Sequence, residues 1–216
     1  MPGVNRQARK RERPVDPAAE GSREELHKND ATDAIVRAAL KAVWLPRHPT
    51  LAVLDEVGLF LHEARVDLVV VTDRLEAYEI KSDADSLTRL PTQAQMYSRV
   101  FERVTLVCAA RHIQRALTIV PDWWTVLEVT HGDETPFTCR QAGAQNPAVD
   151  PFAVAQLLWR DDALDALARR DCATGLWTRT RPAIWRALSE LVPATELLAE
   201  ARDFFTRRAA TPSVPA

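Results

Sequence analysis

The chain has 216 residues and carries 28 Lys+Arg against 30 Asp+Glu, a formal net charge of −2. A balance this close to zero excludes a protein that binds nucleic acid through bulk positive charge. Hydrophobic residues make up 46% of the chain and charged residues 27%, which is typical of a folded globular protein rather than a disordered one.

Cysteine, glycine and hydropathy patterns exclude several further classes. The three cysteines, Cys108, Cys139 and Cys172, are widely spaced and odd in number, which favours a reducing compartment. Six glycines and no phosphate-loop motif make a nucleotide-dependent enzyme a poor candidate. No apolar run approaches the roughly 20 residues that cross a bilayer, and the first residues lack the apolar segment of a signal peptide. We therefore expect a cytoplasmic protein without membrane contact.

The N-terminal part predicts a disordered segment followed by a helix. Residues 1–25 are polar, arginine-rich and interrupted by prolines, which is typical of a solvated basic arm; an arm that grips DNA is the alternative. Asn29 and Asp30 are expected to open a helix that ends at Pro46. Its apolar face is predicted to carry Ile35, Ala38, Ala39, Ala42 and Val43.

The middle of the chain alternates strands with a helix. Apolar and β-branched runs predict strands at residues 57–61, 65–71, 75–81 and 104–108. A three-residue polar turn, Thr72–Arg74, separates the second and third strands, and Asp85-Ser86 can cap a helix that runs to about Arg103. Strand pairs followed by a helix and another strand predict a mixed α/β core over residues 26–145.

The remaining residues predict further strands and a helical extension. We expect a helix at 111–119, a strand at 124–129 and an edge strand at 137–140. Residues 146–208 indicate a C-terminal extension with helices at 152–169, 181–191 and 194–208, before a disordered tail at 209–216. The predicted fold class is α/β, with a central mixed β-sheet flanked by helices and a helical C-terminal extension.

The hairpin of the second and third strands brings three charged residues together. With a three-residue turn, Asp67 lies opposite Glu79. Directly opposed side chains of an antiparallel pair project from the same face, about 4.5–5.5 Å apart at Cβ, and Lys81 joins that face by the two-residue period. A two-residue turn would instead place Asp67 on the other face.

Two carboxylates this close among apolar residues repel each other and are unfavourable to bury without a partner. A divalent cation resolves the conflict, and carboxylate oxygens suit a hard ion such as Mg²⁺. The ion can acidify a bound water, and a neighbouring lysine can orient that water or stabilise a phosphoryl transition state. The alternative from the same spacing is an exposed Glu79–Lys81 ion pair with Asp67 near a strand end.

Three segments carry a resemblance to a known family. They are Arg65-Val-Asp67, Tyr78-Glu-Ile-Lys-Ser-Asp83, and Gln93-x-x-x-Tyr97 with Phe101 before a Val-Thr-Leu-Val strand. Together they resemble the PD-(D/E)XK nuclease superfamily, with its restriction-endonuclease-like fold, and more narrowly a small bacterial branch of it. The resemblance covers roughly residues 30–119, and Val66 stands where the superfamily usually has proline.

The resemblance implies a central four-stranded mixed sheet and Mg²⁺-dependent hydrolysis of phosphodiester bonds in nucleic acid, with DNA favoured over RNA. Mn²⁺ is expected to substitute for Mg²⁺. Asp67, Glu79 and the backbone carbonyl of Ile80 would bind the metal, and Lys81 would be the catalytic lysine. Gln93 matches a glutamine often found near that site.

A further acidic ligand is often present in the superfamily, and three residues are candidates for it. These are Asp33, Glu56 and Glu63, of which Glu56 is preferred, with an exposed carboxylate before the first strand as its alternative. Tyr97 is expected to pack in the core rather than in the site. Asp83 and Asp85 lie just beyond the catalytic strand, where Asp85 is expected to cap the following helix.

The C-terminal helices carry arginines next to tryptophans. Arg179, Arg181 and Arg186 accompany Trp177 and Trp185 with no acid among them, so they are candidate contacts to nucleic acid. The alternative is an amphipathic helix start with Trp185 in the core.

Two other functions stay open: a catalytically silent binding or scaffold protein of the nuclease fold, and a toxin-like or regulatory factor with a protein partner. A homodimer is also compatible with the sequence.

Overall fold

The structure is a computed structural model that describes residues 33–47, 50, 52–130 and 136–210. The predicted basic arm at 1–25 and the last residues of the predicted tail, 211–216, lie outside the described residues. One six-stranded sheet forms the centre of the protein. Its strands are β1 Ala52–Leu59, β2 Ala64–Val71, β3 Leu75–Lys81, β4 Arg103–Ala109, β5 Thr125–Val129 and β6 Phe137–Gln141.

The strands lie in the sheet in chain order, β1-β2-β3-β4-β5-β6. The pairs β1–β2, β2–β3 and β5–β6 are antiparallel, whereas β3–β4 and β4–β5 are parallel. Parallel neighbours need a crossover connection, and helices supply it on both occasions. The predicted mixed α/β sheet is confirmed, and it has six strands where the resemblance implied four.

Helices cover both faces of this sheet. Residues 33–39 form helix α1, which continues into a π-helical turn at Leu40–Trp44. The other helices are α2 Leu90–Ser98, α3 Ile113–Ala116, α4 Pro151–Ala155, α5 Arg160–Ala168, α6 Arg181–Leu191 and α7 Ala194–Ala210. In the described part of the chain, no helix is long and apolar enough to span a membrane.

Three predicted helices differ from the observed ones. The helix expected at 111–119 is shorter, with α3 limited to Ile113–Ala116. The helix expected at 152–169 is broken into α4 and α5, because Trp159 adopts an extended backbone and two aspartates in the first turn favour a new N-terminus at Arg160. Helix α2 begins at Leu90 rather than after Asp85. The carboxylate of Asp85 accepts hydrogen bonds from the amide and hydroxyl of Ser82 at 2.6 Å, so the prediction that Asp85 caps this helix was wrong.

The buried side chains form two clusters, one on each face of the sheet. The large core packs α2 and the C-terminal helices against one face, and the small core packs α1 against the other. Val36 of α1 and Leu40 of the following π-helical turn are buried, whereas Ile35 is 69% exposed. The predicted apolar face of this helix was therefore wrong, since the residues that pack on the sheet are Val36 and Leu40, one turn apart.

The C-terminal helices are joined to the sheet by a buried carboxylate as well as by the large core. Glu102 is 8% exposed, and its Oε2 accepts hydrogen bonds from the amide of Leu75 and from Nη1 of Arg202, each at 2.8 Å. Leu75 begins β3 and Arg202 belongs to α7. One carboxylate thus fixes the start of a central strand against the last helix.

Replacing Glu102 is expected to destabilise the whole fold. Glu102→Ala would leave the buried amide of Leu75 and the guanidinium of Arg202 without an acceptor, which lowers the free energy of unfolding by about 3 kcal/mol. Urea unfolding followed by circular dichroism measures the change. The matched control is Glu196→Ala, which removes an exposed ion pair with Arg170 and is expected to change stability by less than about 1 kcal/mol. Equal effects of the two substitutions would contradict this role of Glu102.

Candidate functional site

A cleft of about 520 Å³ opens where β2 begins, β3 ends and α2 passes over the sheet. Its described lining is strongly charged. The acidic side chains are Asp33, Glu56, Glu63, Asp67, Glu79 and Asp85, and the basic ones are Arg65, Lys81 and Arg89. The cleft is therefore net acidic although the whole chain is near neutral.

The turn between β2 and β3 sets which residues meet in this cleft. Val71 pairs with Leu75 and Leu68 with Tyr78, so the turn contains three residues, as predicted. The regular backbone pairing of β2 with β3 ends at Leu68 and Tyr78. Beyond this point a side chain replaces the backbone acceptor: Oδ2 of Asp67 accepts a hydrogen bond from the amide of Ile80 at 2.7 Å. The hairpin thereby holds Asp67 against the end of β3.

The environment of Asp67 disfavours its charged form. Burial raises the pKa of Asp67 to about 7, and the nearby charge of Glu79 adds to the rise, while the amide of Ile80 and the charge of Lys81 act against it. Oδ1 of Asp67 lies 4.0 Å from Nη2 of Arg37, beyond hydrogen-bonding distance. One carboxylate oxygen therefore remains available to a cation in the cleft.

Glu79 is buried at the inner end of the cleft lining and is held by several hydrogen bonds. It is 1% exposed, and its Oε1 accepts hydrogen bonds from Lys81 Nζ at 2.5 Å and from Gln93 Nε2 at 2.6 Å. Lys81 is itself only 4% exposed. The four residues that the sequence singled out as catalytic, Asp67, Glu79, Lys81 and Gln93, thus all line one cleft.

Tyr97 belongs to the core, as predicted, and also contacts Glu79, which sequence reasoning missed. Its ring is fully buried and stacks on Trp124 with centroids 6.2 Å apart. Its hydroxyl lies 2.8 Å from Oε2 of Glu79 and 2.7 Å from the carbonyl oxygen of Arg65, so one proton serves either acceptor. Burial and the charge of Glu79 raise the pKa of Tyr97, which keeps the hydroxyl protonated.

In β1 and β2, the side chains switch from one face of the sheet to the other beside Asp67. Val66 belongs to the large core and Leu68 to the small core although they are two residues apart on β2, so the usual alternation is interrupted at Asp67. On β1, the residue across from Asp67 is Glu56, whose φ of 54° is left-handed. A non-glycine residue adopts this strained conformation only where its surroundings fix it, and such positions are typical of functional sites.

All three candidates for an extra acidic ligand, Asp33, Glu56 and Glu63, line the cleft. Two of them are held by Arg37, whose Nη2 donates to Asp33 at 2.8 Å and to Glu56 at 2.7 Å. Glu56 also contacts Arg65 at 2.6 Å. Arg37 was missed by sequence reasoning, although its place four residues after Asp33 on a predicted helix is a detectable signal.

The arginines of the C-terminal extension do not line the cleft. Arg181 lies over the ring of Trp185 and Arg186 over that of Phe152, at 5.6 and 5.3 Å from the centroids. Trp185 is buried, and its Nε1 donates a hydrogen bond to the carbonyl oxygen of Leu158. The alternative prediction, which placed Trp185 in the core, is therefore confirmed. Contact of Arg179, Arg181 and Arg186 with nucleic acid stays a prediction.

Comparison with known proteins assigns the chain to a family. A family model described as bacteriophage P4 protein cII matches residues 22–211. The chain belongs to the bacteriophage P4 protein cII family. The matched residues include all described strands and all C-terminal helices, so the sheet and the helical extension both belong to the region that defines the family.

Individual relatives of this cII-family chain cover less of it. Protein cII of Enterobacteria phage P4 is 29% identical over 128 residues, which are 57% of this chain and 48% of the phage protein. The chain thus spans about half the length of the curated relative it matches. Among solved structures, the SPO1766 protein of unknown function from Silicibacter pomeroyi aligns with a TM-score of 0.38 and 16% identity, over 66% of this chain and 92% of that one.

The donor atoms of the cleft suit a hard cation in this cII-family protein. Asp67 and Glu79 supply carboxylates, and Ile80, whose carbonyl the resemblance names as a ligand, lines the same cleft. Among the described residues, no three His, Cys, Asp or Glu side chains are grouped closely enough to hold a metal ion by themselves. Two carboxylates with water and a substrate phosphate are what Mg²⁺ accepts, so the residues present fit that ion.

The hydroxyl of Tyr97 is expected to stabilise the buried carboxylate of Glu79. Tyr97→Phe keeps the aromatic packing but removes the donor to Oε2, which should lower the free energy of unfolding by about 1–3 kcal/mol. Urea unfolding measures the change, with Thr118→Val as control because it removes an exposed hydroxyl and should alter stability by less than about 0.5 kcal/mol. A Tyr97→Phe variant as stable as the natural chain would rule out this contribution.

Proposed function

We propose that this protein is a metal-dependent nuclease of the PD-(D/E)XK type that hydrolyses phosphodiester bonds, with DNA as its substrate and Mg²⁺ as its cofactor. The observation that carries the proposal is the convergence of Asp67, Glu79 and Lys81 on one cleft. Glu79 and Lys81 lie two residues apart on β3, and Asp67 comes from the neighbouring strand β2. Two carboxylates can hold a metal ion, and the lysine beside them can act on the water or the phosphate.

The charge of the cleft also supports a metal. Six carboxylates line the cleft beside three cationic side chains, and Arg37 behind the lining pairs with two of the six, Asp33 and Glu56. Burial, and then the charge of Glu79, raise the pKa of Asp67, so its charged form lacks a compensating partner. A divalent cation between Asp67 and Glu79 would compensate that charge and supply a Lewis acid for a bound water and for the scissile phosphate.

The chain's own residues have distinct roles in this proposal. Asp67 is oriented by the amide of Ile80, and Glu79 by Gln93 and Tyr97. Lys81, held at 2.5 Å from Glu79, carries its ammonium to the cleft, where it can donate to the attacking water or to a phosphoryl oxygen that gains charge.

Two further cations can position the substrate backbone. Arg65 and Arg89 line the cleft beside the carboxylates, and Arg65 is largely exposed, with 70% of its side chain accessible. Guanidinium groups bind phosphate oxygens through paired N–H donors. We therefore assign these two arginines to phosphate contacts that flank the reacting bond.

The decisive test is cleavage by matched variants. Lys81→Met and Glu79→Gln are each expected to lower the rate of Mg²⁺-dependent DNA cleavage by at least about 100-fold, because each removes charge that acts on the transition state. Supercoiled plasmid, linear duplex and single-stranded DNA should be tested, together with RNA, by gel electrophoresis. Lys41→Met is the control, since Lys41 is paired with Asp55 at 2.6 Å and does not line the cleft, and it should keep the natural rate.

Circular dichroism must show that the variants remain folded. Full activity of the folded Lys81→Met protein, or no cleavage of any substrate by the natural chain with Mg²⁺ or Mn²⁺, would refute the proposed chemistry. Metal uptake without cleavage would instead favour the catalytically silent binding protein.

A further inference from the structure

The turn between β1 and β2 has an unusual backbone and reaches the cleft. Phe60, Leu61 and His62 have φ values of 49°, 58° and 75°, so three successive residues other than glycine are left-handed. Such residues adopt this conformation singly as a rule, because it brings Cβ too close to the following carbonyl oxygen. A run of three persists only where the surrounding structure holds it, and strain of this kind is typical of functional sites.

Contacts on two sides hold this turn in place. The guanidinium of Arg99, at the end of α2, lies over the ring of Phe60 at 5.1 Å from the centroid. The imidazole of His62 lies against Gly58 of β1: a Cβ added to Gly58 would come within 2.5 Å of Nδ1 and 2.9 Å of Cε1. Any other residue at position 58 would therefore displace the ring. The strained turn and the glycine together fix where the imidazole lies.

This position is in the wall of the candidate site. Because β2 and β3 are antiparallel, the turn that precedes β2 lies at the end of the sheet where β3 finishes at Lys81. The exposed side chain of His62 lines the cleft together with Asp67, Glu79 and Lys81. The imidazole thus borders the space where the scissile phosphate would bind.

Hydrolysis of a phosphodiester also needs a proton for the leaving oxygen, and the other groups of the cleft are poorly suited to supply it. Guanidinium groups keep their protons. Asp67 and Glu79 are assigned to the metal ion, which binds the ionised carboxylate, and Lys81 donates to Glu79. Histidine is the side chain that most often transfers protons in enzymes, and His62 is the one histidine in the described lining.

We propose that His62 is the general acid of the reaction. The proton on its Nε2, the ring nitrogen farther from Gly58, passes to the leaving oxygen as the bond between phosphorus and that oxygen breaks. The attacking water forms the new P–O bond and releases one proton to solvent, and the neutral imidazole regains a proton from solvent, so the net reaction consumes one water. This inference rests on the proposed phosphodiester hydrolysis. It gives the strained turn and Gly58 one role, which is to hold the imidazole beside the scissile bond.

A leaving group that needs no proton tests the acid. His62→Gln is expected to lower kcat for DNA at least about 100-fold, which is the usual contribution of a general acid. An oligonucleotide with sulfur in place of the leaving bridging oxygen, whose position follows from the ends of the natural products, releases a thiolate without protonation. On this substrate the variant should stay within about 5-fold of the natural rate. Gly58→Ala, which displaces the ring but keeps the histidine, should show the same pattern.

The control is Leu61→Ala, since Leu61 belongs to the same turn, is 69% exposed and is not part of the described cleft lining. It should keep the natural rate on both substrates. A folded His62→Gln protein with the natural rate on DNA, or with equal losses on both substrates, would overturn the acid role and leave metal-dependent cleavage intact. No cleavage by the natural chain would overturn both proposals. If circular dichroism shows that His62→Gln is unfolded, the same comparison with Gly58→Ala decides.

Discussion

The buried carboxylate of Glu79 is the constraint on which the site depends. A carboxylate that is 1% exposed is tolerated only if every oxygen is paired, and here Lys81, Gln93 and Tyr97 supply the donors. These partners come from β3 and α2, so the requirement to satisfy one charge fixes how the helix lies on the sheet. The stacking of Tyr97 on Trp124 extends that constraint into the large core.

A second principle is that the acidic residues are balanced locally by cations of the chain. Arg37 links α1 to β1 and β2 through Asp33, Glu56 and Asp67. Glu79 is balanced by Lys81 rather than by an arginine. The family match, which extends over residues 22–211, places both the sheet that carries these acids and the helices that support it within the cII family.

The sequence predicted the parts that depend on neighbouring residues. A three-residue turn decides the register of β2 and β3, and the two-residue period of a strand places Glu79 and Lys81 on one face. Helix α6 was predicted with its observed bounds, Arg181–Leu191, because a proline in its first turn and a regular apolar stripe mark it.

The contacts of Arg37 with Glu56 and of the Tyr97 hydroxyl with Glu79 could not be assigned from the sequence, because these partners are distant along the chain. Arg37 meets Glu56 across 19 positions and Tyr97 meets Glu79 across 18. The left-handed backbone at Glu56, whose carboxylate contacts Arg37 and Arg65, likewise has no signal in the local sequence. The sequence by itself therefore determined the mixed α/β class, the three-residue turn and the place of Glu79 and Lys81 on one face, since these follow from local periodicity and turn length. Only the tertiary structure decided which cations neutralise the acids, because charge balance depends on distances in space rather than on spacing along the chain.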